Sequence, residues 1–127
     1  MQANLQQRKN SRKLKLGRLG EDLAVKHIEA AGWKVVERNW RHPLGELDII
    51  ALDGRTAVAI EVKTRSSENF GTPLEAITQE KLQRLRKLVL EWNHRTKPNV
   101  LAIRVDAISV LIRPGTNPVI DHLKALS

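Results

Sequence analysis

The stretch Gly45-Glu-Leu-Asp-Ile-Ile-Ala-Leu-Asp-Gly-Arg-Thr-Ala-Val-Ala-Ile-Glu-Val-Lys-Thr-Arg65 decides the architecture. Two apolar runs, Leu47 to Leu52 and Ala57 to Val62, flank Asp53-Gly54. Asp-Gly between β-type runs is a strong hairpin signal, because a type I′ turn needs positive φ at both central residues. The stretch therefore predicts two antiparallel strands.

Side chains alternate faces along a strand. Glu46, Asp48, Ile50 and Leu52 then share one face of the first strand. Ala57, Ala59, Glu61 and Lys63 share one face of the second. With Asp53-Gly54 as a two-residue loop, Asp48 faces Ala59 and Glu46 faces Glu61. Asp48 and Glu61 become diagonal neighbours, roughly 7–8 Å apart between α-carbons. A three-residue loop with a bulge shifts this pairing by one. Like charges facing across a strand pair destabilise it. A patch of Glu46, Asp48 and Glu61 is therefore expected to be neutralised, and a hard divalent cation with oxygen ligands is the natural candidate. Lys63 lies two residues beyond Glu61 and puts an ammonium beside that cation.

An Asp followed on the next strand by Glu-x-Lys resembles the active-site signature of the PD-(D/E)xK, restriction-endonuclease-like superfamily. Within it the chain resembles the small bacterial YraN-like family, whose fold is similar to archaeal Holliday-junction resolvases. The resemblance covers most of the chain. It rests on Gly17-Arg-Leu-Gly-Glu-Asp-Leu-Ala24, Gly32-Trp33, Arg38-Asn-Trp-Arg41, Gly45-Glu-Leu-Asp-Ile-Ile50, Glu61-Val-Lys-Thr-Arg65, Gly71-Thr-Pro73 and Lys81. Glu-x-Lys alone is a weak motif; the ordered set is specific. Ala59 stands where such sequences usually carry a bulky aromatic. Leu47 stands where the superfamily's name has Pro.

Composition sets the bounds. At 127 residues the chain is one domain. No apolar run approaches the roughly 20 residues of a membrane span. No apolar region of a secretory signal appears near the N-terminus. Zero Cys excludes disulfides, thiolate zinc sites and a Cys nucleophile, and fits a cytoplasmic location. The net charge of +8 favours an anionic partner such as nucleic acid or an anionic membrane surface. An acidic patch inside a basic chain sharpens that expectation: the rim attracts a polyanion and the centre holds metal.

Along the chain, residues 1–15 are polar and basic and read as a flexible arm; residues 16–127 read as the domain. Leu16 to Ala31 predicts a helix ended by Gly32. Glu21 sits at the margin of its apolar stripe and Asp22 points away. By spacing alone Glu21 is an ordinary first-turn acid; the resemblance assigns it to the site. His27 reads as a packing residue. Trp33 to Asn39 predicts a strand and Trp40 to Gly45 a loop; Arg38, at the strand's end, and Arg41, in the loop, are placed to touch phosphates, and a lone His42 is exposed. Arg65 opens the loop from Thr64 to Pro73 and suits a backbone clamp; Ser67, Asn69 and Gly71 follow it. Thr78 is an N-cap for a second helix, Gln79 to His94, with Lys81 off its buried stripe. Pro98 breaks the chain. Val100 to Ile112 is β-rich, with Arg104 and Asp106 on one face as a salt bridge. Residues 113–118 form a turn, and Ile120 to Leu126 predicts a short terminal helix.

The order helix, strand, hairpin, helix, strand fits an α/β sandwich: a central mixed sheet flanked by helices, the restriction-endonuclease-like architecture. The resemblance implies metal-dependent hydrolysis of phosphodiester bonds in DNA, in repair or recombination. Asp48, Glu61 and the Val62 carbonyl would hold Mg²⁺ or Mn²⁺, with Glu21 and Glu46 in support. Lys63 would orient water; Arg41, Arg65 and Lys81 would hold the nucleic-acid backbone. Resolvase-like action needs two sites, so a homodimer is a further expectation. The alternatives are a catalytically silent nucleic-acid-binding module, and a scaffold for a DNA-repair or recombination protein with the same fold.

Overall fold

A computed structural model describes residues 4–66, 77–96 and 99–127 of the protein. The elements are α1 (Leu5–Ala30), β1 (Lys34–His42), β2 (Gly45–Asp53), β3 (Thr56–Arg65), α2 (Gln79–Thr96), β4 (Ala102–Leu111) and β5 (Val119–Leu123). The strands form one sheet in the order β1-β2-β3-β4-β5. Only β3 and β4 pair in parallel. A parallel neighbour needs a crossover, and α2 lies between these two strands in the chain.

Each face of the sheet is covered by one helix. On one side Ala24 and Ile28 of α1 pack on Ile49, Ala51, Val58, Ile60, Ile108 and Val110. On the other, Leu82, Leu85, Leu88, Val89 and Trp92 of α2 pack on Leu47, Ile50, Ala57, Ala59 and Val105. Small Ala57 and Ala59, both fully buried, let α2 approach closely. The expected α/β sandwich with a mixed sheet is the observed fold.

Several local expectations change. Residues 5–15, read as an arm, are the first turns of α1. A capping box starts them: Gln7 N–H donates to Asn4 Oδ1 (2.8 Å) and Asn4 N–H donates to Gln7 Oε1 (3.0 Å). No breaker lies between there and Gly17, and Leu, Gln, Lys and Arg are good helix formers. At the other end Gly32, with φ +88°, closes a Schellman motif through Gly32 N–H to Glu29 O and Trp33 N–H to Ile28 O. Trp40 to His42 belong to β1, not to a loop, because they pair with Leu47, Glu46 and Gly45. The segment after Pro118 is the strand β5, not a helix, because Val119 to Leu123 complete the open edge of β4. Thr78 is the N-cap of α2 as expected, its hydroxyl accepting from Lys81 N–H (3.1 Å). Pro98 lies outside the described residues.

The hairpin turn moves along the chain by one residue, which shifts every cross-strand partner by two. Asp53 pairs with Thr56, so the loop is Gly54-Arg55 rather than Asp53-Gly54. Gly54 alone has positive φ (+59°), as a type II′ turn places Gly at its first central position.

α1 meets β3 at Gly20. A Cβ there would stand 2.6 Å from Thr64 Cγ2 and 2.8 Å from Thr64 Cβ, and closer still to Thr64 Oγ1. At Gly17, one turn earlier, it would meet nothing within 4 Å. Gly20→Ala is expected to cost about 1–3 kcal/mol through overpacking. Gly17→Ala should gain up to about 1 kcal/mol from helix propensity. Urea denaturation of the two variants checks this; a gain at both positions would mean that α1 does not seat tightly on β3.

Candidate active site

The β2–β3 ladder ends at the pair Ile49 and Ile60. Beyond it the strands part, and the next donor, Val62 N–H, is taken by a side chain: it donates to Asp48 Oδ2 at 2.9 Å. A strand's N–H points in the plane of the sheet. The Asp48 carboxylate therefore lies in the fork between β2 and β3.

Asp48 reaches the fork because alternation breaks in β2. Ile50 and Leu52 face α2, yet so does Leu47. The β1–β2 ladder passes from Arg38–Ile49 to Trp40–Leu47 and skips Asn39 and Asp48 between them. Asn39 has φ +53°, a left-handed conformation that Asn tolerates better than most residues. The expected common face for Glu46, Asp48, Ile50 and Leu52 is thus not formed.

Glu21 arrives from α1. Its Oε1 accepts from Arg38 Nε (2.9 Å) and Asn39 Nδ2 (3.0 Å). Asp22 points outward, as expected, and takes Arg38 Nη2 at 2.7 Å. Glu61 turns the other way, toward α2. Its Oε1 accepts from Lys81 Nζ at 2.7 Å, with Lys63 Nζ at 3.7 Å. Lys81, expected on the nucleic-acid backbone, is thus engaged with an acid of the site. The acids surround the fork instead of forming a diagonal pair on one face: Asp48 lies in the plane, Glu21 on the α1 side and Glu61 on the α2 side. Among the described residues no three His, Asp or Glu side chains stand together as a ready metal-holding group. Glu46 sits farther out, paired loosely with exposed Arg41 (3.9 Å).

These positions set the electrostatics. Burial, and next the negative charge of Glu61, push the Asp48 carboxyl up to about 7. The Val62 hydrogen bond opposes the rise; Glu21 and Glu46 add to it. Asp48 and Glu21 line a cleft of about 990 Å³ whose other walls include Lys13, Arg18, Arg38, Arg41 and Arg65. Arg65 Nε is buried there without a hydrogen-bond partner. An unmatched buried donor is costly, and an anion would satisfy it.

Sequence reading missed Asn39 as a partner of Glu21, and Lys13 and Arg18 as cleft walls. An Asn inside a β-type run was the available signal for the first. Lys13 depends on the unexpected length of α1; Arg18 lies within the predicted helix, and the seating of α1 on the sheet turns it to the cleft. His42 lies at the β1–β2 turn, where Nδ1 accepts from Leu44 N–H (3.1 Å). His27 contacts His122 Nδ1 (3.3 Å), part of a cluster around fully buried Asp106 that also binds Arg104. Ser67, Asn69 and the Gly71-Thr-Pro73 part of the resemblance lie outside the described residues.

Comparison with known proteins places this geometry in a family. The model of the family described as "Uncharacterised protein family UPF0102" matches residues 20–110, which hold α1's buried half, the fork and α2. The chain belongs to the UPF0102 family. A UPF0102 protein of Nocardia farcinica is 50% identical over 111 residues, covering 87% of each chain. One from Leifsonia xyli subsp. xyli is 48% identical over 116 residues, 91% of this chain and 98% of that one. One from Renibacterium salmoninarum is 46% identical over 114 residues, 90% and 97%. Among the described residues of this UPF0102 chain no helix is long and apolar enough to cross a membrane.

The raised Asp48 carboxyl makes stability depend on pH. The unfolded chain loses this proton near 3.8 and the folded chain near 7. Between those values the folded chain binds more protons, so stability falls as pH rises. Asp48→Asn keeps an acceptor for Val62 N–H and removes the charge. In metal-free buffer it should stabilise by about 1–3 kcal/mol at pH 8 and be nearly neutral at pH 4. Thermal denaturation at the two pH values checks this; an equal effect at both would show that Asp48 ionises freely in the folded chain.

Proposed function

We propose that this UPF0102 protein is a metal-dependent endonuclease of the PD-(D/E)xK superfamily. It hydrolyses phosphodiester bonds in DNA, with structural or weak sequence selectivity, in cytoplasmic repair or recombination. The observation that carries this reading is Asp48: a half-buried carboxylate in a strand fork, repelled by Glu61, which itself lies beside Lys63. Folding an acid into that position is unfavourable unless a cation joins it.

The donors suit the ion. Two carboxylates, Asp48 and Glu61, and the Val62 carbonyl are hard oxygen ligands of the kind Mg²⁺ and Mn²⁺ prefer. Glu21 and Glu46 would support from the α1 side and the rim. When bound, the ion neutralises charge at the scissile phosphate and makes water more acidic.

The chain's own groups do the rest. To hold the ion, Asp48 would have to be ionised, its proton passing to solvent, and Glu61 would have to be freed from Lys81. Lys63, next to Glu61, orients the attacking water and meets charge developing on the phosphoryl oxygens. Arg38 and Asn39 hold Glu21 at the fork. Arg41 and Arg65 hold the backbone without reading bases. Lys81, released from Glu61, becomes available to that backbone.

One observation favours a second reading, a catalytically silent nucleic-acid-binding module. Glu61 is already matched by two lysines, and the three acids stand apart. Cleavage of linear, flapped and branched DNA with Mg²⁺ or Mn²⁺ separates the two. The nuclease reading expects cutting that Glu61→Ala and Lys63→Ala reduce at least ~100-fold. It also expects Mg²⁺ to raise the Tm of the wild type and of Lys63→Ala, but not of Asp48→Asn. No cutting, with tight salt-sensitive binding, would establish the module instead.

A further inference from the structure

α1 continues well past the sheet. Its buried residues are Gly20, Ala24 and Ile28, and residues 4–15 are exposed throughout. A helix segment that buries no face gains nothing from packing to offset its ordering entropy. Yet the capping box at Asn4 and Gln7 holds its end in place.

Its charge is one-sided in sequence. Residues 1–20 contain six Lys and Arg and no acid, whereas the rest of α1 carries Glu21, Asp22 and Glu29 against Lys26 alone. The arrangement around the helix is also ordered. Leu14, Gly17, Arg18 and Glu21 line the cleft. Carried outward at helical spacing, that face continues through Asn10, Gln7 and Gln6. Gln6 Nε2 donates to Asn10 Oδ1 (3.1 Å), aligning two amides along the row. Lys9 and Lys13 flank the row on one side, Lys15 and Arg18 on the other; Arg12 faces away.

We infer that this extension lies in the major groove of duplex DNA beside the cleft. The inference deepens the proposed nuclease reading by naming the substrate as duplex on the arm's side. A helix with its side chains is about 10–12 Å across, and the B-DNA major groove is about 12 Å wide. Amides on the inner face suit base edges, and cations on both flanks suit the phosphates of the two groove walls. The deep, narrow major groove of A-form RNA would not admit it. A membrane surface fits poorly: exposed Leu5 and Leu14 point to opposite sides, and exposed Leu19 shares the side of Leu5 only fourteen residues on, with Arg12 between them, so no continuous apolar stripe forms. From Glu21 to Leu5 the helix spans roughly 24 Å, the length of about seven base pairs.

The test is binding of full-length protein to a 24-base-pair duplex in EDTA, by fluorescence anisotropy across KCl concentrations. Replacing Lys9, Lys13 and Lys15 with Gln should lower the salt slope by about 3, since each phosphate contact contributes ~0.9. Duplex DNA whose major groove is filled by glucosylated hydroxymethylcytosine should bind at least tenfold more weakly, and duplex RNA likewise. Circular dichroism of the triple variant confirms that its helices are intact. An unchanged slope, equal binding of the glucosylated duplex, equal or tighter binding of RNA, or capture by phosphatidylserine vesicles in place of DNA would each overturn the inference. Because no cleavage is needed, these results with an inactive enzyme leave the arm standing and sink only the nuclease; cleavage with an unchanged slope does the reverse.

Discussion

The hydrogen bond from Val62 N–H to Asp48 holds the rest of the site in place. It occurs where the β2–β3 ladder stops short of the ends of both strands. A strand that parts from its neighbour leaves a backbone donor to satisfy, and here a carboxylate takes it. The bond keeps an acid in the sheet's plane, where burial and Glu61 make its charge unwelcome. Everything else in the cleft compensates for that placement or exploits it.

Compensation comes from different directions. Arg38 and Asn39 neutralise and orient Glu21 on one side; Lys81 and Lys63 neutralise Glu61 on the other. These pairings let a sheet carry three acids around one fork without flying apart. They also leave Asp48 as the acid surrounded by like charges. On the proposed function, a cation would relieve that repulsion and free the counter-lysines for an anion.

The same tension recurs at the scale of the molecule. An acidic centre repels a polyanion, so on the proposed function attraction would have to come from elsewhere. The cleft walls carry Arg41, Arg65, Lys13 and Arg18. α1 links the two regimes: its middle delivers Glu21 to the fork, its tight contact at Gly20 sets the distance to β3, and its first turns carry the positive charge outward.

Much of this was readable in the chain itself. Alternation, helical spacing and turn residues give the two helices, the hairpin and the sandwich, because burial of apolar faces repeats at the period of each element. The acid set and Lys63 were likewise visible as residue types at fixed spacing. The one-residue slip at Gly54 was not, since Asp-Gly-Arg allows two turns that differ only in which residue takes positive φ. Nor was the break at Asn39, which costs little locally and is selected by Glu21 and by packing at Leu47 and Trp40. Strand β5 read as a helix because its five residues carry no decisive period of their own; it is pairing with the edge of β4, just before it in the chain, that makes it a strand. Local sequence determined which elements exist and which acids they carry; only the assembled sheet decided where those acids point, because register and strand parting are settled by contacts between segments that periodicity within one segment cannot see.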